Sequence, residues 1–134
     1  MELIQRRRGL VGFGQESELY PVGTNIIKKY GISLKSGYTI NTTTGEYVAD
    51  SSYCASSVYI PISPDYTYWK RGVFPNRVFL SVFAFYDKDK NYIGYYSKKN
   101  YNDFVIPNIP ANARYARVSI PNDSYRDLRI IREA

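Results

Sequence analysis

From Gly37 to the C-terminus the chain is a succession of short strand-forming runs cut by turn signals, and no stretch of it carries a helical period. "GYTINTTTGEYVA" places β-friendly residues on either side of a Thr-Thr-Gly turn, with Gly45 free to take positive φ. "SVYIPISPDYTYW" holds two further runs split by Ser63-Pro64-Asp65, and Pro61 and Pro64, which cannot donate ladder hydrogen bonds, mark a strand end or an edge. "RVFLSVFAFY", Arg77 to Tyr86, is the most apolar segment, and its length and Val/Phe content predict a strand covered on both faces. "NYIGYYS", "DFVIP", "RYARVSIP" and "DLRIIRE" follow. In "YARVSI" strict alternation sets Ala116, Val118 and Ile120 on one face and Tyr115, Arg117 and Ser119 on the other, the pattern of a half-exposed strand. About eight short strands with no convincing internal helix predict an all-β domain, a two-sheet antiparallel β-sandwich of jelly-roll type.

"FYDKDKNYIGYY" raises the question of a calcium loop, because Asp87, Asp89 and Asn91 alternate as metal ligands would. An EF-hand loop counted from Asp87 requires glycine at its sixth place and glutamate at its twelfth. Tyr92 and Lys98 stand there, and Lys88, Lys90, Lys98 and Lys99 would repel a divalent cation. The segment reads instead as a polar hairpin turn between two strands, and no metal or other cofactor is expected.

Catalysis finds no footing. The 134 residues contain no histidine, Ser and Thr have no identifiable base, and no Gly-rich phosphate loop is present. Paired carboxylates could come only from a few positions, chiefly Glu46, Asp50, Asp65, Asp103 and Asp123, and nothing in the sequence brings two together. The single cysteine, Cys54, cannot bridge internally and reads as a small buried residue. The chain is therefore expected not to be an enzyme.

Residues 1 to 36 differ in texture and read as an N-terminal assembly segment and linker, with the sandwich domain spanning 37 to 134. Leu3, Ile4, Leu10 and Val11 recur at a seven-residue offset and would line one side of a short, partly helical extension, which Gly9, Gly12 and Gly14 weaken. A helix this short needs a partner, such as further copies of itself or a larger assembly. The net charge of +6 is densest at Arg6-Arg7-Arg8, a run suited to an acidic neighbour in such an assembly. Nucleic-acid binding is not expected, since there is no helix-turn-helix, RNP sequence or long basic stripe. No apolar run reaches membrane-spanning length, and "GLVGFG" is too short and glycine-rich for a signal-peptide core.

Three blocks in order, "TTTGEYVADSSYCASSVYIPISPDYTY", "FAFYDKDKNYIG" and "FVIPNIPANARYARVSI", resemble small β-sandwich modules of phage and prophage tail and baseplate proteins, modules that look like carbohydrate-binding modules. The likeness covers about residues 37 to 132. Val58 stands where an acidic residue would be expected, and Asp65 where glycine usually follows Ser-Pro. The resemblance implies a virion protein of a phage tail or appendage, homo-oligomeric, with other tail proteins and a host cell-wall or capsular saccharide as partners, and no membrane insertion. Its alternative is a structural virion protein, a connector, spike or plug making only protein contacts.

Tyrosine and the other aromatics are the compositional excess, with 15 Tyr, 6 Phe and 1 Trp. Tyrosine suits both half-buried sheet positions and recognition surfaces. "TYWKRG" places Trp69 beside Lys70 and Arg71, and "YIGYYSKKNY" clusters Tyr95, Tyr96 and Tyr101 by a polar loop. Trp69, Arg71, Tyr95, Tyr96 and Tyr101 are the expected saccharide-binding residues, rings for stacking and a guanidinium for sugar hydroxyls. Trp69 could equally be the core tryptophan of the sandwich.

Overall fold

The computed structural model describes residues 21–56, 58–72, 79–99, 103–122 and 128–133. Among these residues the chain forms one helical turn, α1 (Ile26–Lys29), and nine strands: β1 (Leu34–Ile40), β2 (Tyr47–Ser56), β3 (Ile60–Pro61), β4 (Tyr68–Arg71), β5 (Leu80–Tyr86), β6 (Tyr92–Lys99), β7 (Phe104–Ile106), β8 (Tyr115–Pro121) and β9 (Arg129–Arg132). A large sheet runs β1-β2-β8-β5-β6, with β3 also paired to β8, and a small sheet runs β7-β4-β9. Each of these pairings is antiparallel. The expected two-sheet sandwich is what the chain forms.

Side-chain alternation explains how the sheets meet. From the large sheet Cys54, Ile60, Phe83, Phe85, Ala116, Val118 and Ile120 face inward, and from the small sheet Tyr68, Phe104, Ile106 and Ile130 meet them in one buried cluster. Each fully buried aliphatic or aromatic side chain stabilises the fold by about 1.5–3 kcal/mol. Cys54 is fully buried, its thiol 3.7 Å from the Ile120 carbonyl. β5, from the most apolar run, lies between β8 and β6 and is buried along its length after Leu80.

Residues 1–20, and with them Leu3, Ile4, Arg6, Arg7, Arg8, Leu10 and Val11, lie outside the described residues. Residues 21–36, read from sequence as linker, are built into the sandwich. Asn25 caps α1 through its side-chain oxygen, which accepts from Ile27 N at 3.2 Å and Ile130 N at 3.4 Å, and Ile26 sits in the core with no exposed surface. Gly23 N donates to Arg132 O at 2.7 Å, and β1 already begins at Leu34. The sandwich thus starts upstream of residue 37.

The 87–91 segment is the hairpin turn joining β5 to β6. Asp87 accepts from the backbone of Asp89 and Asn91 through Oδ1 and from the Asn91 amide through Oδ2, and these bonds hold its carboxyl below the usual range. Lys90 takes the positive φ of 67° that closes the turn.

The β1–β2 hairpin departs from a flat sandwich. β1 pairs regularly with β2 from Leu34 to Ser36, then skips from Ser36↔Cys54 to Tyr38↔Ala49, with Gly37 at φ 90° between. Only Tyr53, Cys54 and Ala55 of β2 pair with β8. The distal half of the hairpin, Tyr38 to Asp50, turns back and lies across the outer face of the large sheet. Thr39 Oγ1 is 2.8 Å from Ser119 Oγ, Tyr86 Oη donates to Gly45 O at 2.5 Å, and Tyr92 Oη donates to Thr42 O.

Candidate functional site

The sequence-derived ligand residues do not converge. In β4, Tyr68 and Lys70 face the core while Trp69 and Arg71 face outward. Trp69 is therefore not the core tryptophan of the sandwich but lies half-buried on the outer face of the small sheet, opposite Val105 of β7 and Ile131 of β9. Tyr95 and Tyr96 are neighbours on β6 and so point to opposite faces. Tyr95 is 51% exposed on the outer side of the large sheet, while Tyr96 packs against the core, edge-on to Phe104 at 6.2 Å. Tyr101 lies outside the described residues. Of the four that are described, Trp69 and Arg71 alone share a surface.

That surface has a defined geometry. The Arg71 guanidinium carbon lies 4.6 Å from the Trp69 ring centroid. It is held there by Asp103 at 3.5 Å and Glu133 at 3.6 Å, all three side chains part-exposed. Pairs this exposed and this long contribute about 0–1 kcal/mol of stability. Their structural effect is to orient the planar donor fork over the indole. Aromatic ring, guanidinium and two carboxylates thus present an apolar face, hydrogen-bond donors and hydrogen-bond acceptors within one patch. Asp103 is among the acidic positions that stand out in the sequence; Glu133 is not, because only the β4-β9 pairing brings it there.

Behind the patch, Lys70 is buried with its Nζ 5.1 Å from the Phe104 ring. Burial lowers its pKa to about 7, against which the nearby Asp103 carboxylate raises it. Both faces of β4 therefore bring a cation toward Asp103.

A second aromatic cluster, not anticipated from the sequence, lies under the folded-over arm. Tyr38 and Tyr47 stack at 4.5 Å with 9° between their planes, and Tyr59, Tyr86, Tyr92 and Tyr115 complete the group around Ile40, Ala55 and Ala84. Arg117 stands among them, 9% exposed, its guanidinium carbon 4.1 Å from the Tyr59 centroid and 5.3 Å from that of Tyr86. Alternation puts Arg117 and Ser119 on the face away from the core, where they are. It also implies exposure, and this the structure overturns: Ser119 is fully buried because the arm covers that face. Burial pushes the Tyr86 hydroxyl up to about 12 and raises Tyr47, with the Arg117 charge opposing both shifts.

A polar surface depression of about 210 Å³ lies between the β5–β6 turn and the 111–114 turn, lined by Asp87, Lys88, Asp89, Asn112 and Arg114. Asp87 is engaged by its own turn, and the other charged groups of the lining, Lys88, Asp89 and Arg114, are of mixed sign. Among the described residues no three Cys, Asp or Glu side chains converge as metal ligands, and no helix is long and apolar enough to cross a membrane.

Comparison of the chain with protein-family models, with curated proteins and with solved structures finds no match.

Proposed function

We propose that this chain is a non-enzymatic binding module of a phage or prophage tail appendage, and that the outer face of its small sheet takes a host cell-surface saccharide during adsorption. The observation that carries the reading is the Trp69–Arg71 pair with its two flanking carboxylates. A sugar ring would lie against the exposed edge of the Trp69–Arg71 stack, with Arg71 donating to its hydroxyls and Asp103 and Glu133 accepting from them. All four sit on or beside hydrogen-bonded strands, which keeps the arrangement in place before a ligand arrives. The phage setting rests on the resemblance of the three sequence blocks. In this reading the N-terminal segment docks the module, with Leu3, Ile4, Leu10 and Val11 packing a homo-oligomer and Arg6, Arg7 and Arg8 meeting an acidic neighbour.

The test is a screen of the intact protein on an array of bacterial cell-wall and capsular glycans, with Trp69→Ala and Arg71→Ala beside it, their folding checked by circular dichroism. Saturable binding by the native chain, lost in both folded variants, is expected. Binding that survives both variants moves the site elsewhere. An array with no signal favours a structural role, and removal of residues 1–14 then decides whether the chain serves in assembly. An unchanged oligomeric mass after that truncation would exclude the N-terminal docking role.

A further inference from the structure

The arm formed by the distal half of the β1–β2 hairpin is joined to the face it covers through side chains. Its backbone bonds are internal: Tyr38, Thr39 and Ile40 pair with Ala49, Val48 and Tyr47, Asn41 N donates to Glu46 O at 2.8 Å, and Gly45 N donates to Asn41 O at 2.6 Å. Asn41 Oδ1 accepts from Thr43 N and Thr44 N at the tip. Among the described residues no backbone–backbone hydrogen bond runs from this arm to the large sheet beneath it. Hydroxyls fasten it instead: Thr39 with Ser119, Tyr86 to Gly45 O, and Tyr92 to Thr42 O. A strand pulled from a ladder leaves a row of orphan backbone groups, whereas an arm held by side chains leaves none.

The root of the arm is a bend. Gly37, at φ 90°, stands between the pairs Ser36↔Cys54 and Tyr38↔Ala49, so that Asp50 to Tyr53 of β2 have it alone opposite them. Asn122 N donates to Ser52 O at 2.9 Å and anchors the sheet side of the bend. Nothing lies within 4 Å of where a Cβ would stand on Gly37, so packing does not wedge the bend there.

The closed position leaves polar groups unserved on both sides of the junction. Tyr47 Oη on the arm and Arg117 Nε on the sheet are each buried without a hydrogen-bond partner. The Arg117 guanidinium rests on the rings of Tyr59 and Tyr86, and the carboxylate ion pairs among the described residues belong to Arg71. Burial of such groups opposes closure, and water reaching them relieves the cost. Packing of the rings around Ile40 favours closure.

We propose that the arm, residues 38–50, is a strap that opens about Gly37 while the sandwich stays folded. Opening uncovers Arg117 and Ser119 together with the rings of Tyr59, Tyr86 and Tyr115, and Lys90 lies over two of those rings at 5.2 and 5.4 Å. The hidden face thus carries cations on tyrosine rings, the chemistry of a recognition surface, and is available only while the strap is open.

The experiment is thiol labelling of the full chain carrying Ser119→Cys, followed by mass spectrometry in increasing urea below the unfolding transition. Residue 119 is fully buried under the strap, and the native Cys54, fully buried in the core, reports global unfolding in the same molecule. With each rate corrected for that thiol in the unfolded chain, residue 119 should label roughly tenfold or more faster than Cys54 and with a smaller urea dependence. Tyr47→Phe, which removes an orphan hydroxyl and keeps the ring, should slow labelling at 119 about fivefold. If Ser119→Cys fails to fold, Ala84→Cys, also fully buried beneath the arm, takes its place. Equal corrected rates and equal urea dependence at the two thiols would show that the arm opens only with the whole domain and overturn the proposal. Labelling at 119 that Tyr47→Phe leaves unchanged or quickens would overturn the part assigned to the orphan groups.

Discussion

Gly45, at the tip of the β1–β2 hairpin, lies directly beneath the ring of Tyr92 on β6. A Cβ added at Gly45 would come within 2.7 Å of the Tyr92 Cβ and closer still to its ring. The backbone there has φ 74°, and the Gly45 carbonyl accepts from Tyr86. A turn at the far end of one strand pair is thus fastened to two tyrosines of another.

Gly45→Ala should destabilise the protein by about 2–4 kcal/mol, combining left-handed backbone strain with overpacking against Tyr92. Urea unfolding measures this directly. A loss under about 0.5 kcal/mol, the ordinary range for a surface change, would mean the arm is not seated as described.

Tyr86→Phe removes the donor to Gly45 O while keeping the ring against Tyr59 and Arg117. A loss of about 1–2 kcal/mol is expected from a buried bond whose acceptor is left behind. If the arm is also loosened, amide exchange at residues 39–47 should quicken in this variant while that of β5 and β8 stays slow.

Lys70 sets a pH dependence whose sign follows from its lowered pKa, about 7 in the fold against an ordinary lysine value of 10.5. Between those values the unfolded chain binds the proton more readily, so this group's contribution to stability rises as pH increases from about 7 toward 10.5 and is flat below. Native protein should therefore gain more stability between about pH 6 and about pH 9 than Lys70→Met does. The variant itself should be neutral or stabilised by about 1–4 kcal/mol at about pH 6, since it replaces a buried charge with an apolar side chain. Equal pH slopes for the two proteins, read by urea unfolding, would remove Lys70 as the cause.

Ser56 is fully buried and its Oγ accepts from Val118 N at 3.0 Å, substituting for a strand carbonyl where β2 leaves β8. Ser56→Ala should cost about 1–3 kcal/mol by orphaning that amide. Ser56→Thr, which keeps the oxygen, should recover part of it if the extra methyl is accommodated.

The adjacent tyrosines of β6 give a paired test of register. Tyr95→Ser should change stability by no more than about 0.5 kcal/mol, whereas Tyr96→Ala should cost about 2–4 kcal/mol through loss of packing on Phe104 and its neighbours. Reversal of the two effects would mean a one-residue slip of β6 against β5.

Much of this architecture is legible along the chain. Alternation in "YARVSI" assigns each β8 side chain to its correct side, the continuous apolar run becomes the doubly covered β5, and Asp87 to Asn91 becomes a turn. These are local facts: a period of two decides faces, and turn residues decide where runs end. The candidate site is legible only in part. Trp69 and Arg71 share a face because they stand two apart on one strand, but Tyr95 and Tyr96, being adjacent, could not both join any one surface.

What the sequence by itself determined is the class of fold and the side of each strand residue, because those depend on neighbours within a few positions. Which of those sides meets solvent was decided by tertiary structure alone. Ser119 is buried because an arm about 80 positions earlier folds back over its face, Thr39 meeting it directly; Glu133 reaches Arg71 because β9 pairs with β4 across about 60 residues of chain. Contacts between segments so far apart carry no local periodicity, so they become visible only when the sheets close.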